Sequence, residues 1–406
     1  MPNAIKIALK LLLLMAVTAG LALAMYWLFI RKPPSISEPT PPGDETTGGG
    51  LPQAGAGEPG GGGGAGAAGG GTGTLPPSAV ADGGVTSVVT LTSAGVTSPT
   101  VTSTGRVAYY DQNDGRFYTI NNNGNVEALS SAQFSQAQNV TFAPETDAVV
   151  VEFPDGSNIV YNFSSGQQVS MPNHWEGFSF AANGTEIAGK SIGSDPSNRT
   201  LIVTAADGSN TRVLAALGAN DKSVDVNWSP NGEIIGFSKT GGAGSAFGQN
   251  QVFMIDKNGQ DAGMLLVNGS NFKAKWSPDG SHLLYSVADG GDGFRSSLWF
   301  SDTTGDSRGG VRVRVGVKTA VDKCTFASAS VAYCAVPTDM PTGGGITPAL
   351  VTAPDNVYKI ELPSGRASLL AIPAVETRMT NLSVSADGSE LYYTDDRGRL
   401  NYLRLR

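Results

Sequence analysis

Histidine and cysteine are nearly missing from this chain of 406 residues: His174, His282, Cys324 and Cys334 are all it has. A zinc-type site needs three or four such donors gathered together, so two isolated histidines and one cysteine pair exclude it. Neither a G-x-S-x-G elbow nor an H-E-x-x-H helix motif occurs, which removes the common serine-hydrolase and metalloprotease signatures. Charged residues make up only 15% of the chain, and they are unevenly spread. Lys6, Lys10, Arg31 and Lys32 are the only charged side chains in the first 32 residues, so the remainder holds 23 basic against 35 acidic groups, a formal −12. A surface of that sign repels phosphate backbones, and nucleic acid is excluded as a partner. The one basic stripe, Arg312, Arg314 and Lys318 in "VRVRVGVK", reads as protection of an exposed edge strand against unwanted pairing.

What the chain does have begins with one uncharged run, residues 11–30, "LLLLMAVTAGLALAMYWLFI". As a helix rising 1.5 Å per residue it would match a hydrocarbon core of about 30 Å. Tyr26 and Trp27 near its far end, followed by Arg31 and Lys32, have the character of interfacial anchors. The expectation is an uncleaved signal anchor, with residues 1–10 as a short cytoplasmic terminus and the rest on the periplasmic or extracellular side. The alternative is a cleaved signal peptide, with Ala22-Leu23-Ala24 as its processing site. Residues 31–80 follow as a Pro/Gly-rich linker whose composition cannot offset its ordering entropy. A Gly-rich tether of that length reaches about 40 Å.

From residue 85 to 406 the chain is repetitive. "WSPDGSHLLYS" from Trp276 has a counterpart in "WSPNGEIIGFS" from Trp228. Further copies are "FAANGTEIAGKS" from Phe180 and "VSADGSELYYT" from Val384, with weaker ones at Val101, Phe142 and Phe326. The anchors 101, 142, 180, 228, 276, 326 and 384 are separated by 41, 38, 48, 48, 50 and 58 residues. In the clearer copies an aromatic or apolar residue ends a strand, Asp-Gly or Asn-Gly makes a turn that needs positive φ, and two or three short apolar strands follow; the Phe326 copy has lost that turn and carries the cysteine pair. Four antiparallel strands at this period form one blade of a β-propeller. The expected fold class is therefore all-β, a seven-bladed propeller over 85–406. Its seventh blade is completed by the strand "VTSVVTLT" at 85–92.

The W-S-P-D-G-x-x-L-x-Y pattern resembles the propeller repeats of the TolB type, related to the WD-repeat group but without its Trp-Asp signature. The resemblance covers most of 85–406 and implies fold rather than function. TolB-type proteins pair a six-bladed ring with an amino-terminal α/β domain; here there are seven copies and a linker in that domain's place. A role in an outer-membrane complex is therefore not carried over.

Candidate functional residues follow from loop length. The connections between second and third strands share a face with the between-blade connections, and the Asp-Gly turns lie on the opposite face. In the third to sixth copies those connections are long, and long loops on a rigid scaffold are where binding usually resides. Arg199, Phe247, Asp292, Phe294, Arg295 and Met340 are the side chains there best suited to anchor a protein or glycan partner. Asp225 and Asp322 are candidates for lining the channel, and they support the alternative of a carboxylate-dependent, polysaccharide-active enzyme. A structural envelope component is the third possibility. Asp289 and Asp292 in "ADGGDGF" are the only place suggested for Ca²⁺, with a spacing unlike an EF-hand; no other cofactor is implied. Cys324 and Cys334 are expected to face each other across a hairpin as a disulfide, which persists only in an oxidising compartment. Two unpaired buried thiols are the alternative. The protein is expected to be monomeric.

Overall fold

The computed structural model describes residues 76–102, 106–121, 125–144, 148–242, 248–304 and 309–406. The expected membrane helix at 11–30 and nearly all of the 31–80 linker lie outside the described residues. Among those described, no helix is long and apolar enough to cross a membrane.

Sheets that are largely antiparallel, four of the six with their strands in chain order, make up the described residues. The third unit is typical, with strands Trp175–Phe180, Glu186–Ser191, Thr200–Ala205 and Arg212–Ala216 side by side in sequence order. The second, fourth and fifth units repeat this plan, beginning with strands Asn139–Phe142, Val224–Val226 and Ser270–Trp276. Every repeat anchor read from the sequence lies in, or within two residues of, the first strand of its unit. The second strands read as continuous apolar runs, such as Ala148–Glu152 and Ile234–Ser238, because they are covered on both faces. First strands alternate instead, as in Trp175–Phe180, with one row of side chains turned away from the packing.

Seven hydrophobic clusters lie among the described residues, six between consecutive units and one between the first unit and the last. Phe180 packs between the second and third units, Trp228 between the third and fourth, and Trp276 between the fourth and fifth. Val96, Val107 and Tyr109 of the first unit meet Tyr392 and Leu400 of the last. Hydrogen bonds between units repeat at the sequence period. Trp276 Nε1 donates to Asn227 O at 3.2 Å, the Trp228 amide to Ser179 Oγ at 3.0 Å, and Lys275 Nζ to Cys324 O at 2.7 Å, each spanning 49 residues. The turn glycine adds to this. Gly280 adopts φ +69°, and a Cβ there would come within 2.7 Å of the Asn231 backbone nitrogen in the preceding unit.

One expectation is modified. The stretch 85–92 is not a single strand. Val85–Thr86 pairs in parallel with Ile372 and Pro373, as a fifth strand on the outer edge of the sixth unit. A separate long strand, Val89–Val101, then pairs first with Arg399–Arg404 and afterwards with Val107–Asp111. The last three strands of the chain and the first unit thereby share one seven-stranded sheet. The break at Ser87 and Val88 lets the entering chain cover two strand edges instead of one. The Gly83 amide bonds Leu370 O at 2.8 Å, and the Ala81 amide bonds Arg404 O at 2.9 Å.

Candidate binding site

The sixth unit departs furthest from the others. Its first strand, Cys324–Ser328, has lost the Asp-Gly turn, and its second is Val331–Pro337. Cys324 and Cys334 are direct register partners across that hairpin, both fully buried, and they form a disulfide. After Pro337 the chain leaves the sheet for a long connection, 338–354, before returning in Asp355–Glu361.

That connection is docked rather than loose. The Gly343 amide donates to Gly293 O at 2.8 Å, and the Gly345 amide to Phe294 O at 2.9 Å. Asn271 Nδ2 donates to Gly345 O at 2.7 Å, and Arg295 Nε to Met340 O at 2.9 Å. Glycine is required at 345 by proximity: a Cβ would stand 2.8 Å from Phe294 O and 2.9 Å from the Ser296 nitrogen.

Beneath this loop lies a cavity of about 500 Å³. The fifth, sixth and seventh units and the loop all contribute to it. One wall is apolar, from Val287, Ala320, Met340, Pro348 and Val351. Charged side chains also line it, from Lys273, Asp322, Lys323, Arg378, Asp395 and Asp396. Most of these charges already have partners. Lys273 pairs with Asp322 at the exposed rim. Lys323 pairs with fully buried Asp355 at 2.5 Å, and Asp355 also accepts from the Met379 amide at 2.7 Å. Burial pushes the Asp355 carboxyl up despite the Lys323 charge. Asp395 is held by Arg399 at 2.8 Å and by the Arg397 and Arg399 amides. The Arg378 guanidinium and the Asp396 carboxylate have no ion-pair partner among the described residues. Just outside the cavity, enclosure by neighbouring strands pushes the Lys275 amine down, an effect that Asp322 partly opposes.

The residues singled out from sequence fall into distinct roles. Met340 lines the cavity from a buried position rather than standing exposed. Phe294 is half exposed at 48% and has φ +57°, a left-handed conformation unusual for an aromatic residue. Arg295 spends its guanidinium on Met340 O and Asp292. Asp292 collects three cations: Lys318 at 2.7 Å, Arg295 at 3.4 Å and Arg314 at 3.8 Å. The Lys318 hydrogen bond, with the charges of all three, holds its carboxyl below the usual range. Asp289 accepts from the Gly291 amide at 2.9 Å and pairs with Arg314 at 3.5 Å. The carboxylates suggested for Ca²⁺ thus already face positive charge, and among the described residues no three His, Cys, Asp or Glu side chains are grouped so as to hold a metal ion.

Arg199 is not on this cavity. It bonds Gly193 O at 3.1 Å and Asp221 at 2.8 Å, tying the third unit's loop to the connection before the fourth. Burial works to raise the Asp221 carboxyl, but the Arg199 bond and charge outweigh it, and the pKa falls. Asp225 is held by both oxygens on Lys239, at 2.9 and 3.0 Å, in the fourth unit. Asp225 and Asp322 therefore do not form one carboxylate pair. Phe247 lies outside the described residues. Half of the fifth unit's "ADGGDGFRSS" is strand: pairing continues to Asp289 and Arg295 and leaves only 290–294 as the turn. Sequence reading missed Lys323, Arg378, Asp395 and Asp396, which carry no motif and meet only in three dimensions.

No family model and no curated protein matches this chain. Solved structures do resemble it. The β-propeller domain of Cps50 (Swd1) from Myceliophteria thermophila superposes with a TM-score of 0.53 at 10% identity, covering 79% of this chain and 100% of that one. Oligogalacturonate lyase from Vibrio parahaemolyticus gives 0.52 at 10% identity, over 79% and 93%. Streptogramin B lyase gives 0.50 at 12% identity, over 79% and 97%. The chain has a propeller-type, WD-repeat-like fold. At these identities the likeness reaches no further than the fold, which hosts scaffolds and enzymes alike.

Proposed function

We propose that the seven units close into one seven-bladed propeller and that it works as a binding module for a protein or glycan through its loop face. In this reading Val89–Val101 is both the outermost strand of the seventh blade and the innermost of the first. The observation that carries the function is the preformed cavity of about 500 Å³ under the docked 338–354 loop. Such a cleft, mostly apolar with a few placed charges, has the composition of a ligand site. The apolar run at 11–30 and the bonded cysteine pair support a membrane-anchored protein with the propeller outside the cytoplasm.

The test uses the full chain in its membrane, cross-linked in whole cells and then purified. Replacing residues 341–347 by a short Gly-Ser bridge should abolish recovery of the partner while leaving thermal unfolding unchanged. Recovery undiminished by that replacement would overturn the loop-face reading. Membrane association should survive alkaline carbonate washing and be lost when residues 1–30 are removed; release by carbonate from the intact chain would overturn the anchor. The ion-paired state of Asp225 and Asp322, in separate units, favours binding over carboxylate catalysis. Asp225→Asn, outside the cavity lining, should accordingly leave partner capture intact.

A further inference from the structure

The loop face carries a second feature beside the cavity. Phe294, Ile346 and Leu350 are exposed large apolar side chains, and backbone contacts put them together. The residue before Ile346 donates its amide to Phe294 O. Leu350 Cδ1 lies 3.4 Å from the Cβ position of Gly343, whose amide bonds Gly293. Ile346 and Leu350 are chain neighbours of Gly345 and Val351, which line the cavity. The apolar surface therefore continues from inside the cavity out over its rim. Around Phe294 the fold accepts a left-handed aromatic residue at the surface, a conformation that must be held by its surroundings.

Resting on the loop-face reading above, we propose that the partner is a protein and that an extended segment of it binds here. One aliphatic or aromatic side chain of the segment enters the cavity, and a single carboxylate one or two residues away reaches Arg378. Three observations lead to this occupant. Sugars are commonly held by stacking on aromatic faces, and none of the described residues lining the cavity is aromatic. The apolar rim extends the contact beyond what a small solute inside the cavity would cover, as a polypeptide crossing the mouth requires. Charge then sets the polarity of the segment. Lys273 and Lys323 are already neutralised, which leaves Arg378 as the lining cation open to an incoming carboxylate. Asp396 at the same lining would repel a run of acidic residues, so the segment carries one acid and not several.

The experiment is selection of a displayed library of random 12-residue peptides on the full chain in detergent micelles. A glycan array is probed in parallel with the same preparation. The expected result is a peptide family with one large apolar residue beside one Asp or Glu. Its binding, read by fluorescence anisotropy, should weaken at least ~10-fold on Val351→Asp or Arg378→Glu. Exchanging the peptide's acid for Lys should restore binding to Arg378→Glu. Phe294→Ser, at the exposed rim, gives a loss that does not depend on an intact cavity lining, and thermal unfolding of each variant separates misfolding from lost contact. Selected peptides that bind all three variants as well as the parent would overturn the proposal. So would a glycan bound in a manner dependent on 341–347 with no peptide selected, and that outcome would leave the loop-face reading standing. No loop-dependent binding of either kind would sink both.

Discussion

The fifth and sixth units follow one plan and secure it by different means. In the fifth, Trp276 wedges against the fourth unit, and Ser277, Asp279 and Ser281 tie the turn together. In the sixth, the turn residues are gone and a disulfide joins the same two strands. The sixth is also the unit that sends out the long loop roofing the cavity. A covalent link across the first hairpin replaces a turn motif in the unit whose other end departs most from regular pairing. Local stabilisation and loop elaboration vary separately, because each unit is held chiefly by its two neighbours.

Substitutions that break this contrast should rank by burial. Trp276→Ala empties the packing between the fourth and fifth units and should cost about 3–5 kcal/mol in denaturant unfolding. A loss below 1 kcal/mol would mean that the aromatic anchor is incidental. Replacing both Cys324 and Cys334 by Ala should cost about 2–3 kcal/mol, as for a loop of this length. Reducing agent should then have no further effect on the variant. Asp279→Ala removes hydrogen bonds at an exposed turn and should cost about 1 kcal/mol.

Asp279 also makes a pH prediction. Hydrogen bonds from the Ser277 and Ser281 hydroxyls and the Ser281 amide hold its carboxyl at about 2, below an unfolded value of 3.8. Asp387 in the seventh unit is held at about 2 in the same manner by Ser385 and Ser389. A depressed carboxyl stabilises the fold above its unfolded pKa, and that contribution is lost as pH falls through its folded pKa. Stability should therefore drop between about pH 4 and 2, and less steeply in an Asp279→Ala, Asp387→Ala double variant; equal slopes would contradict this. Gly345→Val lies outside the packing between units, so strand pairing in the sheets should persist in that variant. It should nonetheless undock the loop, seen as faster amide exchange at 343 and 345.

The repeat and its anchors were legible because their causes are local: an aromatic residue, a turn glycine and a strand recur at a fixed spacing. The disulfide was legible for the same reason, since nine intervening residues allow one hairpin to bring the two sulfurs together. The cavity was not legible. Lys273, Lys323 and Arg378 come from three units and are ordinary surface residue types until the packing of those units brings them together. Met340 was identified from its loop, but its burial follows from Gly345 docking on Phe294, which depends on the absence of a side chain. The glycines of "ADGGDGF" suggested a long loop, yet the residues on both sides keep their strand pairing.

The long strand Val89–Val101 has a kinetic consequence. Thr90 Oγ1 meets Asn401 Oδ1 at 2.7 Å across 311 residues of sequence. During synthesis, the first half of that strand waits without its partner until residues 399–404 have emerged. Contacts this distant in sequence slow folding, because the intervening segment must first be brought to close on itself. The other hairpins pair with near neighbours and can form as they appear. A chain ending before Arg399 should therefore acquire most of its strands and still expose Leu91 and the Val96 cluster to a hydrophobic dye. Joining the two ends of this sheet is therefore a late step that no local hairpin can replace.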